Sequence, residues 1–472
     1  MSRQAGWPVV EQAAERGGNQ ATRRGVRRRA ALACAGGGVL GAVAACGQTG
    51  GPAAPQQSAG PVTLRYGFYA SAPEAEIWKR VAADFSRENG RITVEPYHTN
   101  PDGDHFQRMY TLLAANSEPE IMMWTTKELK GGAVKDVFYP LDGLIKSAKH
   151  YKKEDVFPIE WEKNVFRGKL LALALTHSPL VIYYNKDVFQ KAGVPEPPHT
   201  WTDPGWTWDG LLDSARKLTK GAGTPEASFG YDNQDSWWSV QPFMWSNGGD
   251  YLSTDDSKVQ IDTPPVVEAF QWVADLRLRH KVNPTPADMQ GQGGTTGMFA
   301  AGRLAMFSAI TSTAPTLVAR PDLRWDLAPM PHRRTQAWTR NPQLNITISK
   351  NNGGKYAGDA WLALEYLAGE PGQQAMAELH RGLPANKKVA YSEAWLTPGS
   401  AVDWRVFIEA AEKHSHREHE IIKFPEMNKL IGDAYTKELL TGNVSAKQMA
   451  ESIKPQLEEL IRENTQLMNA GR

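Results

Sequence analysis

Cysteine is nearly absent from this chain. Its 472 residues include two, Cys34 and Cys46, both close to the amino end. The body beyond them can carry no disulfide framework, no cysteine nucleophile and no cysteine-based zinc site. An excess of one charge is also lacking: 53 Lys and Arg face 52 Asp and Glu, a net of +1. Such a balance gives no electrostatic footprint for nucleic acid. The mildly apolar stretch Ala30–Ala45 is too short and too Gly-rich for a stable membrane-spanning helix.

Motifs of catalysis are missing as well. There is no G-x-S-x-G, no phosphate loop and no H-E-x-x-H. Gln292–Gly297 (QGGTTG) is Gly-rich but lacks the Lys a phosphate loop needs. His414, His416 and His419 form the one metal-like cluster, yet spacings of two, three and five do not match a helical zinc pair. They read as solvated surface histidines. Asp and Glu are abundant, but nothing selects a glycosidase pair among them. Neither a metal nor a cofactor is expected, and the chain does not read as an enzyme.

What is present is tryptophan and an asymmetric charge. Sixteen Trp are many for this length, which suggests ring surfaces for ligands as well as cores. The first 45 residues hold seven Arg against two Glu, and the remainder is net negative. Arg23-Arg24 and Arg27–Arg29 precede the apolar Ala30–Ala45, an export-signal pattern. Val43-Ala44-Ala45-Cys46 resembles a bacterial lipoprotein signal, with Cys46 as the lipidated residue. The Arg pair resembles a twin-arginine signal, although Val26 and Arg27 depart from it, so the export route stays open. Acyl chains on Cys46 would hold the protein on a membrane. Residues 46–61, rich in Gly, Pro, Gln and Ser, read as a flexible tether.

The body alternates strand and helix patterns. Val62–Phe68 reads as a strand, Pro73–Asn89 as an amphipathic helix ended by Gly90, and Ile92–Pro96 as a strand. Phe106–Asn116 and Glu120–Thr125 repeat the order. This is a parallel α/β start, in which ligands sit beyond the strand carboxyl ends. Tyr69 and Trp124 lie at such ends and are candidates, either for the site or for a core. Leu170–Leu175 and Leu180–Tyr184 are apolar runs suited to buried strands. Asn185 or Asp187 can cap a helix to Ala192, with Gly193 as its stop, and Trp208–Lys220 restarts as a helix. Trp237, Trp238 and Trp245 share one helix-like window before Gly248-Gly249-Asp250. A last amphipathic helix spans Val444–Asn464.

The run Tyr183–Gly193 (YYNKDVFQKAG), with Met298–Phe307 (MFAAGRLAMF) and Arg381–Ala385 (RGLPA), resembles extracellular solute-binding proteins of ABC sugar importers, related to maltodextrin-binding proteins. The resemblance covers about residues 62–464. It implies a two-lobed periplasmic-binding-protein-like fold of type II, with a ligand cleft between lobes and three hinge crossings. The crossings would fall near Ala174–Ser178, Pro329–Pro331 and Gly369–Gly372. Lobe 1 would then be 62–176 with 330–371, and lobe 2 177–329 with 372–472. The implied ligand is a carbohydrate, held by Tyr69, Trp124, Trp237, Trp238, Trp245 and Arg381, with Trp338 in a nearby loop. The implied partners are ABC permease subunits, and the protein would act as a monomer. A glycerol-phosphate-type ligand, with Arg381 on the phosphate, stays open, as does a secreted glycoside hydrolase.

Overall fold

In the computed structural model of the protein, residues 57–99, 105–419 and 421–470 are described. The leader, Cys46 and most of the tether lie outside these residues. Alternation in Val62–Tyr69 makes β1, with Leu64, Tyr66 and Phe68 turned into a core. Helix α1 (Ala72–Asn89) follows and is stopped by Gly90 at φ 70°, a left-handed turn that glycine adopts freely. Then come β2 (Ile92–Thr99), α2 (His105–Ala114), β3 (Ile121–Thr125) and α3 (Thr126–Val134). β1 pairs in parallel with both β2 and β3, as the alternating pattern predicts.

A hairpin of β4 (Val165–Phe166) and β5 (Lys169–Leu170) leads into β6 (Leu173–His177). The run expected as one strand over Leu170–Leu175 is therefore split, because Leu170 closes the hairpin. Ser178–Leu180 carry the chain to β7 (Val181–Asn185), which belongs to a second sheet. β7 is buried along its whole length, hence its continuous apolar sequence. Asn185 caps the next helix, Lys186–Ala192, by accepting from the Val188 amide at 3.2 Å, and Gly193 ends it at φ 63°. β8 (Phe229–Asp232), β9 (Leu304–Ala309) and β10 (Trp325–Ala328) complete the second sheet in the order β10-β7-β9-β8. β11 (Gln343–Ile348) returns to the first sheet, antiparallel between β3 and β6, and β12 (Leu383–Pro384) pairs with β6. The first sheet thus runs β12-β6-β11-β3-β1-β2.

Each sheet has its own core. Tyr66, Trp78, Met123, Ile346 and Leu364 belong to the first. Tyr183, Leu211, Phe243, Phe307 and Leu327 belong to a larger second one. The final helix, Ala446–Asn469, opens on a Ser445/Gln448 capping box and turns Met449, Ile453, Leu457 and Ile461 into the second core. A small third cluster lies on the other face of β3. Met122 and Trp124 face it while Met123 faces the first core, as strand alternation requires.

The third crossing is not at Gly369–Gly372. Helix Glu370–Ala377 places Ala375 and Met376 in the first core, and β12 is a strand of the first sheet. Ala377 and Leu383 touch the second core, and the chain stays in it from Val389 and Ala390 onward. Gly369 and Gly372 serve a close approach instead. A Cβ on Gly369 would lie 2.6 Å from the His150 carbonyl oxygen, and one on Gly372 would lie 1.9 Å from that of Leu367. The glycines let two helices abut inside the first lobe, and in sequence that looks the same as a linker.

Candidate functional site

β1 and β3 end on the same side of the first sheet, and antiparallel β11 begins there. Their tips, Tyr69, Thr125 and Gln343-Leu344, form one wall of a cavity of about 180 Å³. The opposite wall comes from Ser178, which precedes β7, from Ile310 and Ser312 after β9, and from Glu418. Thr126 and Lys127, at the amino end of α3, and Arg381, just before β12, complete the enclosure. The cavity therefore draws on both sheets and lies beside the first two connections between them, at Ser178 and Pro342.

Its electrostatics are built from pairs. Glu418 faces Arg340, Oε1 to Nε at 3.1 Å and Oε2 to Nη2 at 3.2 Å, and its Oε1 also accepts from the Asn341 amide at 3.1 Å. Burial alone would raise the Glu418 carboxyl; Arg340, then Lys127 and Lys163, outweigh it and hold it at about 2. Arg381 donates through Nε to Glu74 at 2.8 Å, and Glu74 is fully buried. Lys127 stands apart. Among the described residues it makes no hydrogen bond or ion pair; its ammonium lies 4.5 Å from the centre of the Phe424 ring. Burial, helped by Arg340, lowers it to about 7 against the pull of Glu418 and Glu128. Tyr69 packs on His105 at 4.9 Å and on Phe106 at 5.7 Å, and burial pushes its phenol up.

Two of the seven residues expected at the site, Tyr69 and Arg381, line this cavity. Trp238 lies one contact away, with the Arg340 guanidinium 4.7 Å above its ring. The others are placed elsewhere. Trp124 is fully buried among Phe106, Tyr110 and Phe138. Trp237 is buried edge-on to Tyr251, and its Nε1 donates to Asn428 at 2.9 Å. Trp245 stacks on His416 at 4.3 Å, and Trp338 meets the same imidazole edge-on at 5.1 Å. Trp124 is one residue short of the strand tip, and alternation turns it to the face opposite the first core. The rule that selected it, looking beyond strand ends, applied two and three residues further on would have found Thr126 and Lys127. Glu418 and Arg340 had no such signal, because nothing in the sequence links two loops 78 residues apart.

The histidine cluster differs from expectation. His414 is buried, donates through Nδ1 to the Ala337 carbonyl at 2.8 Å and stacks on Trp201 at 4.8 Å. His419 is buried between Asp250, at 2.9 Å, and Asp256. These imidazoles fasten the loop that presents Glu418 rather than facing solvent. No group of three or more His, Cys, Asp or Glu able to hold a metal occurs among the described residues. None of the described helices is long and apolar enough to cross a membrane.

A cavity between the tips of two mixed sheets, joined by repeated crossings of the chain, is the arrangement of a two-lobed fold of type II. The pattern of bacterial extracellular solute-binding proteins matches residues 69–374, and the chain belongs to that family. A putative binding protein of Brucella abortus is 25% identical over 340 residues, 70% of this chain and 78% of that one. The sn-glycerol-3-phosphate-binding periplasmic protein UgpB of Rhizobium meliloti is 32% identical over 155 residues, 31% of this chain and 30% of its own. Among solved structures, the Listeria monocytogenes ABC substrate-binding protein Lmo0181 with cycloalternan superposes with a TM-score of 0.75 at 20% identity. That match covers 85% of this chain and 99% of the other. Maltose-bound MalE3 of T. maritima superposes at 0.71 with 19% identity, covering 84% and 100%. Likeness at such identities speaks for the fold.

Proposed function

We propose that this protein captures a small carbohydrate in the cavity between its lobes and delivers it to an ABC permease. The observation that carries the reading is the cavity itself, whose walls come from both sheets, so that a ligand filling it couples binding to lobe closure. Tyr69 offers a ring face to a sugar. Thr125, Ser178, Ser312 and Gln343 offer hydroxyl and amide partners for its hydroxyls. Its volume of about 180 Å³ suits one sugar unit better than a chain. Solved relatives in complex with cycloalternan and with maltose support a sugar as the class. UgpB-type relatives support a second reading, a glycerol-phosphate-type ligand. We place the protein on the outer face of the bacterial cell membrane, held by lipid on Cys46 and working as a monomer.

Calorimetric titration against mono- and oligosaccharides and glycerol 3-phosphate tests the ligand class. Saturable binding of a mono- or disaccharide is the expected result. Hydrolysis of an oligosaccharide by the pure protein would overturn the reading in favour of an enzyme. Fractionation of cells carrying Cys46→Ala tests the anchor: the variant should leave the membrane, and unchanged retention would refute lipidation there.

A further inference from the structure

Three cations border the cavity, and two of them are neutralised. Arg340 is matched by Glu418 through two hydrogen bonds, and Arg381 by Glu74 through one. Lys127 has no carboxylate within ion-pairing distance among the described residues, although it lines the cavity and is half-buried. A long, well-hydrated ammonium normally reaches solvent or an anion when it is packed away. Here its stem holds it against Phe424, with the cavity beside it. The local balance favours negative charge on anything that enters.

A second observation points the same way. Lys127 sits in the first turn of α3, and Thr125, the residue before this helix, makes no side-chain bond to its free amides. Those amides lie behind Thr125 and Thr126, which also line the cavity. An uncapped helix amino end presents donors and partial positive charge to an anion. Arg381 adds to this. It binds Glu74 through Nε, and its two terminal nitrogens make no hydrogen bond among the described residues. The carboxylate of Glu418 on the far wall does not cancel this bias, because both its oxygens are engaged by Arg340.

We propose that Lys127 and the amino end of α3 form an anion-recognising subsite in the cavity, so that the solute captured is a small polyhydroxylated molecule carrying one phosphate or carboxylate. The inference rests on the reading of this cavity as the capture site and deepens it. The hydroxyl and amide groups of Ser178, Ser312 and Gln343 hold the polyol part, while the ammonium and the α3 amides hold the charged end. A neutral sugar leaves Lys127 unpaired in the closed cavity and binds less well for that reason.

The test compares each anionic probe with its neutral partner on the full exported chain. Glucose 6-phosphate and glucuronate are set against glucose, glycerol 3-phosphate against glycerol, and inorganic phosphate is titrated alone. Wild type, Lys127→Met and Lys127→Arg are measured by calorimetry, with melting curves to show that the variants fold. At least one anionic probe should bind about tenfold or more tightly than its neutral partner. Lys127→Met should abolish that difference, and Lys127→Arg should keep most of it. The phosphate and carboxylate arms then identify the group. Equal binding of neutral and charged partners, or a preference that survives Lys127→Met, would overturn the subsite and leave carbohydrate capture standing. Binding of no probe at all would overturn both.

Discussion

Arg340 and Glu418 lie face to face, Nε to Oε1 at 3.1 Å and Nη2 to Oε2 at 3.2 Å, with side chains 4% and 11% exposed. Arg340 comes from the segment that enters the first sheet at β11, and Glu418 from the loop fastened to the second lobe. The pair therefore spans the wall of the cavity. Removing one partner of such a pair leaves a buried charge, and Arg340→Met should cost roughly 3–5 kcal/mol of stability. Arg340→Met with Glu418→Gln should recover most of the loss, since no unpaired charge remains. Urea unfolding of the two variants checks this. Equal stability of the single and double variants would show that the pair's charge is not what matters.

His419 makes stability depend on pH. Burial alone would lower its imidazole, but the carboxylates of Asp250 and Asp256 outweigh that and raise it to about 9. Arg417 and Lys130 also act on Asp256, and His419 on His416. A group raised in the folded state stabilises fully below its unfolded value, about 6.5, and that stabilisation is lost as pH rises through about 9. The shift corresponds to about 3 kcal/mol at most. Melting temperature should fall between pH 6.5 and 9 in wild type. In His419→Gln that fall should be smaller; an identical fall in both proteins would remove His419 as its source.

The sequence was readable where one residue type has one physical use. Asn185 as a cap, Gly193 and Gly90 as left-handed stops, and alternation in β1 all describe short-range geometry that the chain cannot satisfy otherwise. Tyr69 and Arg381 were reachable from position at strand ends and from the RGLPA resemblance. The tryptophans misled because a large indole serves a core as readily as a ligand, and composition does not distinguish the two. Lys127 sits three residues past Trp124 in a helix pattern where a Lys reads as a solvated face. Its surroundings include Arg340 and Glu418, which come from distant loops.

Trp124 and Trp237 should therefore behave as core residues. Trp124 packs against three aromatic rings, and its loss opens a cavity that those rings cannot fill. Trp124→Ala should cost about 3–5 kcal/mol in unfolding free energy. Trp237→Phe, which keeps most of the volume but drops the bond to Asn428, should cost roughly 1–2 kcal/mol. Folded Trp237→Phe should hold ligand within about twofold of wild type. A large loss of affinity with no loss of stability would instead put Trp237 at the ligand.

Closure itself leaves a contact to test. Lys127 stands on α3 beside the first sheet, and Phe424 belongs to the second core, so the ammonium 4.5 Å from that ring joins the two lobes across the cavity. A cation over a partly buried ring contributes about 0.5–2 kcal/mol. A few kcal/mol separate the open and closed forms of a protein that binds its ligand by lobe closure, the movement proposed here. A contact of this size shifts that balance appreciably without locking it. Phe424→Ala should move the ligand-free protein toward the open form, and solution scattering should report a larger radius of gyration than for wild type. Saturating ligand should bring both proteins to the same, smaller radius, because ligand contacts then dominate. Wild type and variant with identical scattering in the ligand-free state would show that Phe424 does not bias closure. A profile unchanged by ligand in both would argue against lobe movement on binding.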